Sequence, residues 1–223
     1  MKLVLMSAFN NDTISKKIVE LVGKPLEEIS VAILNECSQV EGWDVRYLLM
    51  TFAGLNETYG GGMYLCDLRN ESLEENEKRI AKADIIFCCG GHVDYLQTVF
   101  DKSGFTKILP ELLKTKVWVG SSAGSCVMGV RPPNEFRLDV DKVRLENVTK
   151  YQELVKLSIR PHVWADHSQS EGVDVSIKES ENNGGIPVYA LSDDAAIIVT
   201  GEKIYIAGTK GQKFIHGKLV EEI

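Results

Sequence analysis

The 223-residue chain has little positive charge and no long apolar run. It carries 25 Lys and Arg against 32 Asp and Glu, which gives a net charge of −7, and it has no basic stripe with interleaved aromatic residues. This composition argues against a nucleic-acid partner. No apolar stretch approaches the roughly 18 residues that a membrane-spanning helix needs, and the short N-terminal run turns polar at Asn10, which indicates a first strand instead of a signal segment. We therefore expect a cytoplasmic protein with no nucleic-acid or membrane partner.

Cysteine is scarce and forms no motif. The five cysteines are odd in number, lack CxxC spacing and lie mostly in apolar runs. This pattern is typical of small buried side chains and not of a disulfide framework or a zinc site. The sequence therefore predicts no metal and no other cofactor.

Short apolar runs of strand length alternate with segments of helical period along most of the chain. The runs are KLVLMSAF (2–9), SVAILNE (30–36), MYLCDL (63–68), DIIFCCGG (84–91) and KVWVG (116–120). Strands without polar alternation, separated by helices, are typical of a mostly parallel sheet that is covered on both faces. Ser72 and Glu75 form a capping box that opens one of these helices, which is expected to continue to about Ala83.

The pattern changes toward the C-terminus. Short alternating runs begin at residue 185 and turn at TGEK (200–203) and later at GTKGQK (208–213), which predicts antiparallel hairpins at the edge of the sheet. No linker, repeat or low-complexity tract interrupts the chain. The sequence therefore predicts one α/β domain over residues 1–223, with a mostly parallel sheet, helices on both faces and antiparallel hairpins near the C-terminus.

A cluster of tiny residues follows the apolar run that begins at residue 116. Residues 120–124, GSSAG, fit the pattern G-x-S-x-G, with a strand before them and a short helical segment after them. This context is what a nucleophile elbow requires. Ser122 would stand at the N-terminus of a helix, where the Ala123 N–H faces a developing oxyanion. The alternative is that the small residues only allow a helix to pack closely on the sheet.

A serine nucleophile needs an adjacent base, and the chain offers four histidines, His92, His162, His167 and His216. His162 follows Pro161 at the end of an apolar run, and strand ends are where catalytic groups gather in open α/β sheets. We rank it above His167, which lies in a polar loop. His216 is expected at the surface.

The third member of a triad is a carboxylate that orients the imidazole. Asp193 and Asp194 lie at a strand or turn edge, and Glu135 is closer to the serine in sequence, so all three are candidates. The chain order Ser, His, Asp differs from the order Ser, Asp or Glu, His of ordinary α/β-hydrolases. The fold is therefore expected to be a different one.

Four segments in this order resemble the dipeptidase E and cyanophycinase family of serine peptidases. They are Gly90-Gly91 followed by Tyr95-Leu96, then GSSAGS (120–125), then Pro161-His162, and finally ALSDDAA (190–196). The likeness extends from SVAILNE to the last hairpin. It implies a class I glutamine amidotransferase-like fold, a flavodoxin-like three-layer sandwich, with serine in place of the cysteine of those enzymes.

The resemblance also implies roles for individual residues. Ser122 would be the nucleophile and His162 the general base, while Gly91 and Ala123 would supply the N–H groups of the oxyanion hole. Asp193 stands where family members often have Glu, so the carboxylate is kept but shortened. The implied activity is hydrolysis of a small peptide or isopeptide through an acyl-enzyme, by a serine-type peptidase.

The substrate side of the site departs from the family pattern. His92-Val93-Asp94 stands where members commonly have Asn-Thr, and the loop after His162 has no Arg or Lys to bind an acidic side chain. Asp94 and Asp166 would repel such a side chain, and the hypothesis is that Asp94 or Asp166 holds a substrate ammonium instead. The expected substrate contacts are Gly90, His92, Asp94 and Asp166.

Two other classes of function compete with this interpretation. One is a non-catalytic binding or sensing module that keeps an amidotransferase-like pocket. The other is a metal-dependent hydrolase that uses His162, Asp166, His167 and His92, although their spacing fits no compact zinc motif. A homodimer is the candidate assembly.

Overall fold

The computed structural model describes residues 1–8, 10–39, 45–136, 148–164 and 172–223. The strands are β1 (Lys2–Met6), β2 (Val31–Leu34), β3 (Met63–Leu65), β4 (Ile85–Cys88), β5 (Val117–Ser121), β6 (Ser158–Arg160), β7 (Val188–Leu191), β8 (Ala196–Thr200), β9 (Lys203–Ala207), β10 (Gly211–Ile215) and β11 (Lys218–Glu222). The helices are α1 (Asp12–Val22), α2 (Val45–Thr58), α3 (Leu73–Ala81), α4 (Val93–Ser103), α5 (Phe105–Leu112), α6 (Ala123–Cys126) and α7 (Gly172–Asn182). Short 3-10 helices cover Leu26–Glu28, Glu36–Gln39 and Asn134–Phe136.

The larger sheet has seven strands in the order β3-β2-β4-β5-β1-β8-β9. The first five are parallel, and β8 and β9 are antiparallel to their neighbours. Every residue of β2, β4 and β5 is buried, because a parallel sheet needs cover on both faces. This arrangement confirms the predicted mostly parallel α/β fold, and β8 and β9 form the hairpin that the TGEK turn predicted.

A second sheet of four strands, in the order β11-β10-β7-β6, was not predicted from the sequence. Both C-terminal hairpins were expected at the edge of one sheet, but only β8–β9 lies there. The GTKGQK segment does not close a hairpin, because it carries the chain from β9 in the large sheet to β10 in the small one. Helix α7 packs against β7 and β10 and covers this second sheet.

The ends of two helices follow the local sequence signals. Helix α1 ends at Gly23, which has a left-handed φ of 82°, a conformation that glycine adopts at low cost. Ser72 caps α3 by accepting the Glu75 N–H at 3.2 Å, as the capping box predicted. Within the described ranges, no helix combines the length and apolar character of a membrane span.

The carboxyl ends of the central strands lie at one edge of the large sheet. Met6 at the end of β1 is paired with Ser121 at the end of β5, and Cys88 at the end of β4 is paired with Gly120. The segments that leave these strands therefore meet at the same edge, which is where ligands bind in open α/β sheets.

Candidate active site

Ser122 stands in a strained backbone conformation between β5 and α6. Its φ of 48° and ψ of −109° lie outside the regions that L-residues ordinarily populate. Hydrogen bonds hold it there: its N–H donates to the Met6 carbonyl at 3.0 Å, and its own carbonyl accepts the N–H groups of Ser125 and Cys126, each at 2.9 Å. Such strain is typical of nucleophile elbows, where a sharp turn exposes the hydroxyl.

The glycines around Ser122 allow a very close approach of strand and helix. A Cβ on Gly120 would lie 2.4 Å from the Gly124 carbonyl oxygen, and a Cβ on Gly124 would lie 2.3 Å from the Cys88 carbonyl oxygen. The Trp118 indole N–H fixes the same turn by donating to the Gly124 carbonyl at 2.9 Å. The segment can therefore serve both as a nucleophile elbow and as a close packing contact, since the tight packing itself shapes the turn that carries Ser122.

Ser122, His162 and Asp193 form a hydrogen-bonded chain. His162 Nε2 is 3.0 Å from Ser122 Oγ, and His162 Nδ1 is 2.6 Å from Asp193 Oδ1. The side chains of His162 and Asp193 are 30% and 20% exposed, so solvent reaches the cluster. The serine follows β5 of the large sheet, the histidine follows β6 of the small sheet, and the aspartate lies on the connection from β7 to β8.

The structure distinguishes the two aspartates among the three candidate carboxylates. Asp193 contacts His162, whereas Asp194 Oδ1 accepts hydrogen bonds from Thr209 Oγ1 at 2.6 Å and Ser192 Oγ at 2.7 Å. These two hydrogen bonds hold the pKa of Asp194 below its usual range. Glu135 lies in the 3-10 helix after the Pro132-Pro133 pair. Of the two adjacent aspartates, Asp193 is thus the one that the structure brings to the histidine.

Gly91 lies in the segment that leaves β4, and Ala123 directly follows the nucleophile. Gly91 has a φ of 140°, and a Cβ there would lie 2.3 Å from the Cys37 carbonyl oxygen, so only glycine fits. Ala123 is the first residue of α6, and the N–H groups of a first helical turn have no acceptor within their own helix. Within the described ranges, neither N–H has a backbone acceptor. Both are available to a ligand at this edge.

Gly90 lines the same space. A Cβ on Gly90 would lie 3.2 Å from Ser122 Cβ and 3.0 Å from the Tyr47 hydroxyl. The absence of a side chain at this position therefore keeps the volume beside the nucleophile open.

The expectation that His92 and Asp94 contact a substrate does not agree with their positions. His92 is 2% exposed and caps α4, where its Nδ1 accepts the Tyr95 N–H at 3.1 Å. Asp94 is fully buried and accepts the Tyr151 hydroxyl at 2.9 Å, with Arg131 Nε 3.6 Å away. Because both side chains are turned into the protein, we do not retain them as substrate contacts. Asp166 and His167 lie outside the described residues.

Two residues at this site, Tyr47 and Ser7, were not predicted from the sequence. Tyr47 of α2 places its hydroxyl beside Gly90, and burial raises the pKa of Tyr47 to about 12. Ser7, at the end of β1, accepts the backbone N–H of His162 at 2.7 Å. A polar residue that closes an otherwise apolar strand was the available signal for Ser7, whereas no local pattern distinguishes Tyr47.

The described residues contain no group of three or more His, Cys, Asp or Glu side chains placed to hold a metal ion. His216 is exposed on the turn between β10 and β11, as expected.

Comparison with known proteins identifies the family. The family model of peptidase family S51 matches residues 5–207. The chain belongs to peptidase family S51. This membership confirms the predicted serine-type peptidase and argues against a non-catalytic binding module.

Individual relatives of this S51 peptidase are distant. An uncharacterized peptidase of Listeria monocytogenes, Lmo0363, is 28% identical over 142 residues, which is 62% of this chain and 67% of the relative. A candidate peptidase E protein from Listeria monocytogenes EGD-e has a TM-score of 0.74 at 22% identity, covering 93% of this chain and 98% of that one. A peptidase from an acI-B1 Actinobacterium has a TM-score of 0.64 at 13% identity, covering 98% and 96%. The two solved structures confirm the fold.

Proposed function

We propose that this S51 peptidase hydrolyses a small peptide or isopeptide through an acyl-enzyme on Ser122. The observation that supports the proposal is the continuous chain of hydrogen bonds from Ser122 Oγ through the His162 ring to Asp193 Oδ1. A serine hydroxyl is a weak nucleophile by itself and needs such a base within hydrogen-bond reach. The strained turn that presents Ser122 is the second support.

In the acylation step, Ser122 Oγ attacks the carbonyl carbon of the scissile amide while its proton passes to His162 Nε2. His162 Nδ1–H donates to Asp193 Oδ1, which holds the tautomer that leaves Nε2 free to accept and stabilises the imidazolium that forms. The carbonyl oxygen becomes an oxyanion that the N–H groups of Gly91 and Ala123 stabilise. Collapse of the intermediate breaks the C–N bond, and the amine leaves with the proton from Nε2.

In the deacylation step, water replaces the amine. His162 Nε2 removes a proton from the water as its oxygen attacks the acyl carbon, and the same oxyanion donors act again. The proton returns to Ser122 Oγ when the ester bond breaks, so the enzyme regains its starting state and the peptide's acid half is released. No other reactant is needed.

A library of dipeptides and isopeptides, assayed with the wild type and Ser122→Ala, tests the proposal. We expect Ser122→Ala to lose on the order of 10⁴-fold or more in kcat and to lose labelling by a fluorophosphonate. His162→Ala is expected to lose a similar factor, while His216→Ala, at an exposed turn, serves as the matched control and should keep full activity. Undiminished turnover in Ser122→Ala would refute the acyl-enzyme.

Three other expectations stay predictions. They are a single domain over residues 1–223, a cytoplasmic location and a homodimer. A substrate contact by Asp166 also stays a prediction, which the same library tests through Asp166→Asn and its effect on substrates with and without a free amino group.

A further inference from the structure

The end of β1 contacts the nucleophile and the aspartate through its backbone. The Met6 carbonyl accepts the Ser122 N–H at 3.0 Å, and the Ala8 N–H donates to the Asp193 carbonyl at 3.1 Å. Ser7 lies between them and is completely buried. Its own N–H donates to the Ala195 carbonyl at 2.9 Å, so the backbone around Ser7 is fixed within the large sheet.

The Ser7 side chain contacts His162, the third member of the Ser122–His162–Asp193 cluster. Its Oγ accepts the His162 backbone N–H at 2.7 Å and donates to the Leu191 carbonyl at 3.4 Å. Leu191 ends β7 and His162 follows β6, and both strands belong to the small sheet. One buried hydroxyl of the large sheet therefore holds the backbone of the small sheet at the point where the histidine leaves it.

His162 needs such support because its own backbone is unfavourable. Its φ is 62°, in the left-handed region that residues other than glycine seldom adopt. A residue in this region keeps its conformation only where its surroundings fix it. The 2.7 Å bond to Ser7 Oγ is a contact with the His162 backbone itself, independent of the imidazole contacts.

We infer that Ser7 is a positioning residue of the active site, which sets where the His162 imidazole stands between Ser122 and Asp193. The inference rests on the proposed function, since it concerns the same histidine. Removing the hydroxyl leaves the His162 N–H without its acceptor and frees the turn to move. An imidazole displaced by about 1 Å costs on the order of 10²-fold in rate. The residues that bind the substrate do not move, so KM is expected to change little.

The test compares Ser7→Ala with the wild type by two measurements. The first is the rate of Ser122 labelling by a fluorophosphonate, which needs no knowledge of the natural substrate. The second is kcat and KM with the best peptide from the library. We expect Ser7→Ala to lower the labelling rate and kcat by about 10- to 100-fold and to leave KM within about threefold of the wild-type value.

Ser180→Ala is a matched control for the loss of a buried hydroxyl. Ser180 is also completely buried. Its Oγ accepts the Gly217 N–H at 2.9 Å and donates to the Ile177 carbonyl at 2.8 Å. Gly217, like His162, has a left-handed φ, of 74°. It lies in α7, among residues with no role in the proposed mechanism. We expect Ser180→Ala to lower the melting temperature about as much as Ser7→Ala does, with unchanged kcat and labelling.

A second variant, Ser7→Cys, tests the same role if Ser7→Ala does not fold. Ser7→Cys keeps the shape of the side chain with a somewhat larger atom that is a poor hydrogen-bond acceptor, so kcat should fall as in Ser7→Ala. Wild-type kcat in either folded variant would overturn the positioning role while leaving the proposed function intact. A wild-type enzyme that is not labelled at Ser122 would overturn the proposed function and this inference together.

Discussion

Two adjacent aspartates at the β7–β8 connection have different surroundings. Asp193 is hydrogen-bonded to the His162 ring, whereas Asp194 is hydrogen-bonded to Thr209 and Ser192. We expect Asp193→Asn to lower kcat on the order of 10⁴-fold, because an amide at this position favours the wrong imidazole tautomer. Steady-state kinetics of the purified variant measure this loss.

Asp194→Asn is the control for that substitution, and its expected effect is on stability. Hydrogen bonds from Thr209 and Ser192 lower the pKa of Asp194, so its carboxylate stabilises the fold at pH values above its unfolded pKa of about 3.9. This stabilisation is lost as the pH falls through the lower pKa of the folded state. The difference in melting temperature between wild type and Asp194→Asn should therefore be constant near neutrality and shrink in acid. A large loss of kcat in Asp194→Asn would instead reverse the two assignments.

Individual residues differ in how far the sequence could predict them. Ser122 and His162 each follow an apolar run, and strand ends converge in this fold class, so the sequence predicts that they meet. The sequence left the carboxylate open between Asp193, Asp194 and Glu135, and the family resemblance favoured Asp193. Ser7 and Tyr47 act through tertiary contacts, and only Ser7 has a local signal, as a polar residue that closes an apolar strand. Asp94 was misjudged because a carboxylate is usually exposed, and only the fold shows that Tyr151 and Arg131 surround it.

At the scale of elements, α6 contacts the strand β4 so closely that no side chain fits between them. A Cβ on Gly124 would lie 2.3 Å from the Cys88 carbonyl oxygen and 2.8 Å from Cys88 Cβ. Neither backbone can withdraw without shifting the elbow, so we expect Gly124→Ala to destabilise the fold by about 1–3 kcal/mol or more and to abolish labelling of Ser122. Urea unfolding and fluorophosphonate labelling measure the two effects.

Gly54→Ala is the same substitution at an open position. Gly54 lies inside α2, and a Cβ added there would have no atom within 4 Å. Alanine favours a helix by about 0.5–1 kcal/mol over glycine, so we expect Gly54→Ala to raise the urea midpoint and to leave labelling unchanged. Equal destabilisation by Gly124→Ala and Gly54→Ala would contradict the claim that the close contact at Gly124 shapes the elbow.

Elements were predictable where the local signal was strong. The buried strands of the large sheet, the capped helix α3 and the Gly23 end of α1 all follow from short patterns. Helix α7 was missed because its few apolar residues, among them Val173 and Ile177, which pack on the small sheet, give no clear helical period. The small sheet was missed because its register depends on pairing between strands far apart in sequence, such as β6 with β7.

At the scale of the whole molecule, the candidate site lies where two sheets meet. The nucleophile comes from the large sheet and the base from the small one, so the geometry depends on how the small sheet is held. A buried ion pair contributes to this: Arg160 at the end of β6 donates to Glu179 of α7 at 2.9 Å, and their side chains are 5% and 1% exposed. Ser158 Oγ donates to the other carboxylate oxygen at 2.5 Å.

Removing one member of this pair should make stability depend on pH. Burial raises the pKa of Glu179 even though Arg160 and Ser158 oppose the shift, so Arg160→Met should raise it further. A carboxyl group with a raised folded-state pKa stabilises the fold fully below its unfolded pKa and loses that contribution as the pH rises through the folded-state value. We expect Arg160→Met to cost about 3–5 kcal/mol at pH 8 and clearly less at pH 5, as measured by urea unfolding.

The double variant Arg160→Met with Glu179→Leu distinguishes this electrostatic cause from a loss of packing. Apolar residues in place of a buried ion pair are often neutral or stabilising, so the double variant should recover most of the stability at pH 8 and lose the pH dependence. Arg79→Met, which removes a half-exposed pair with Glu71, should change stability little at either pH. If the double variant were as unstable as Arg160→Met at pH 8, the arginine would be needed for its packing and not as the partner of a buried charge.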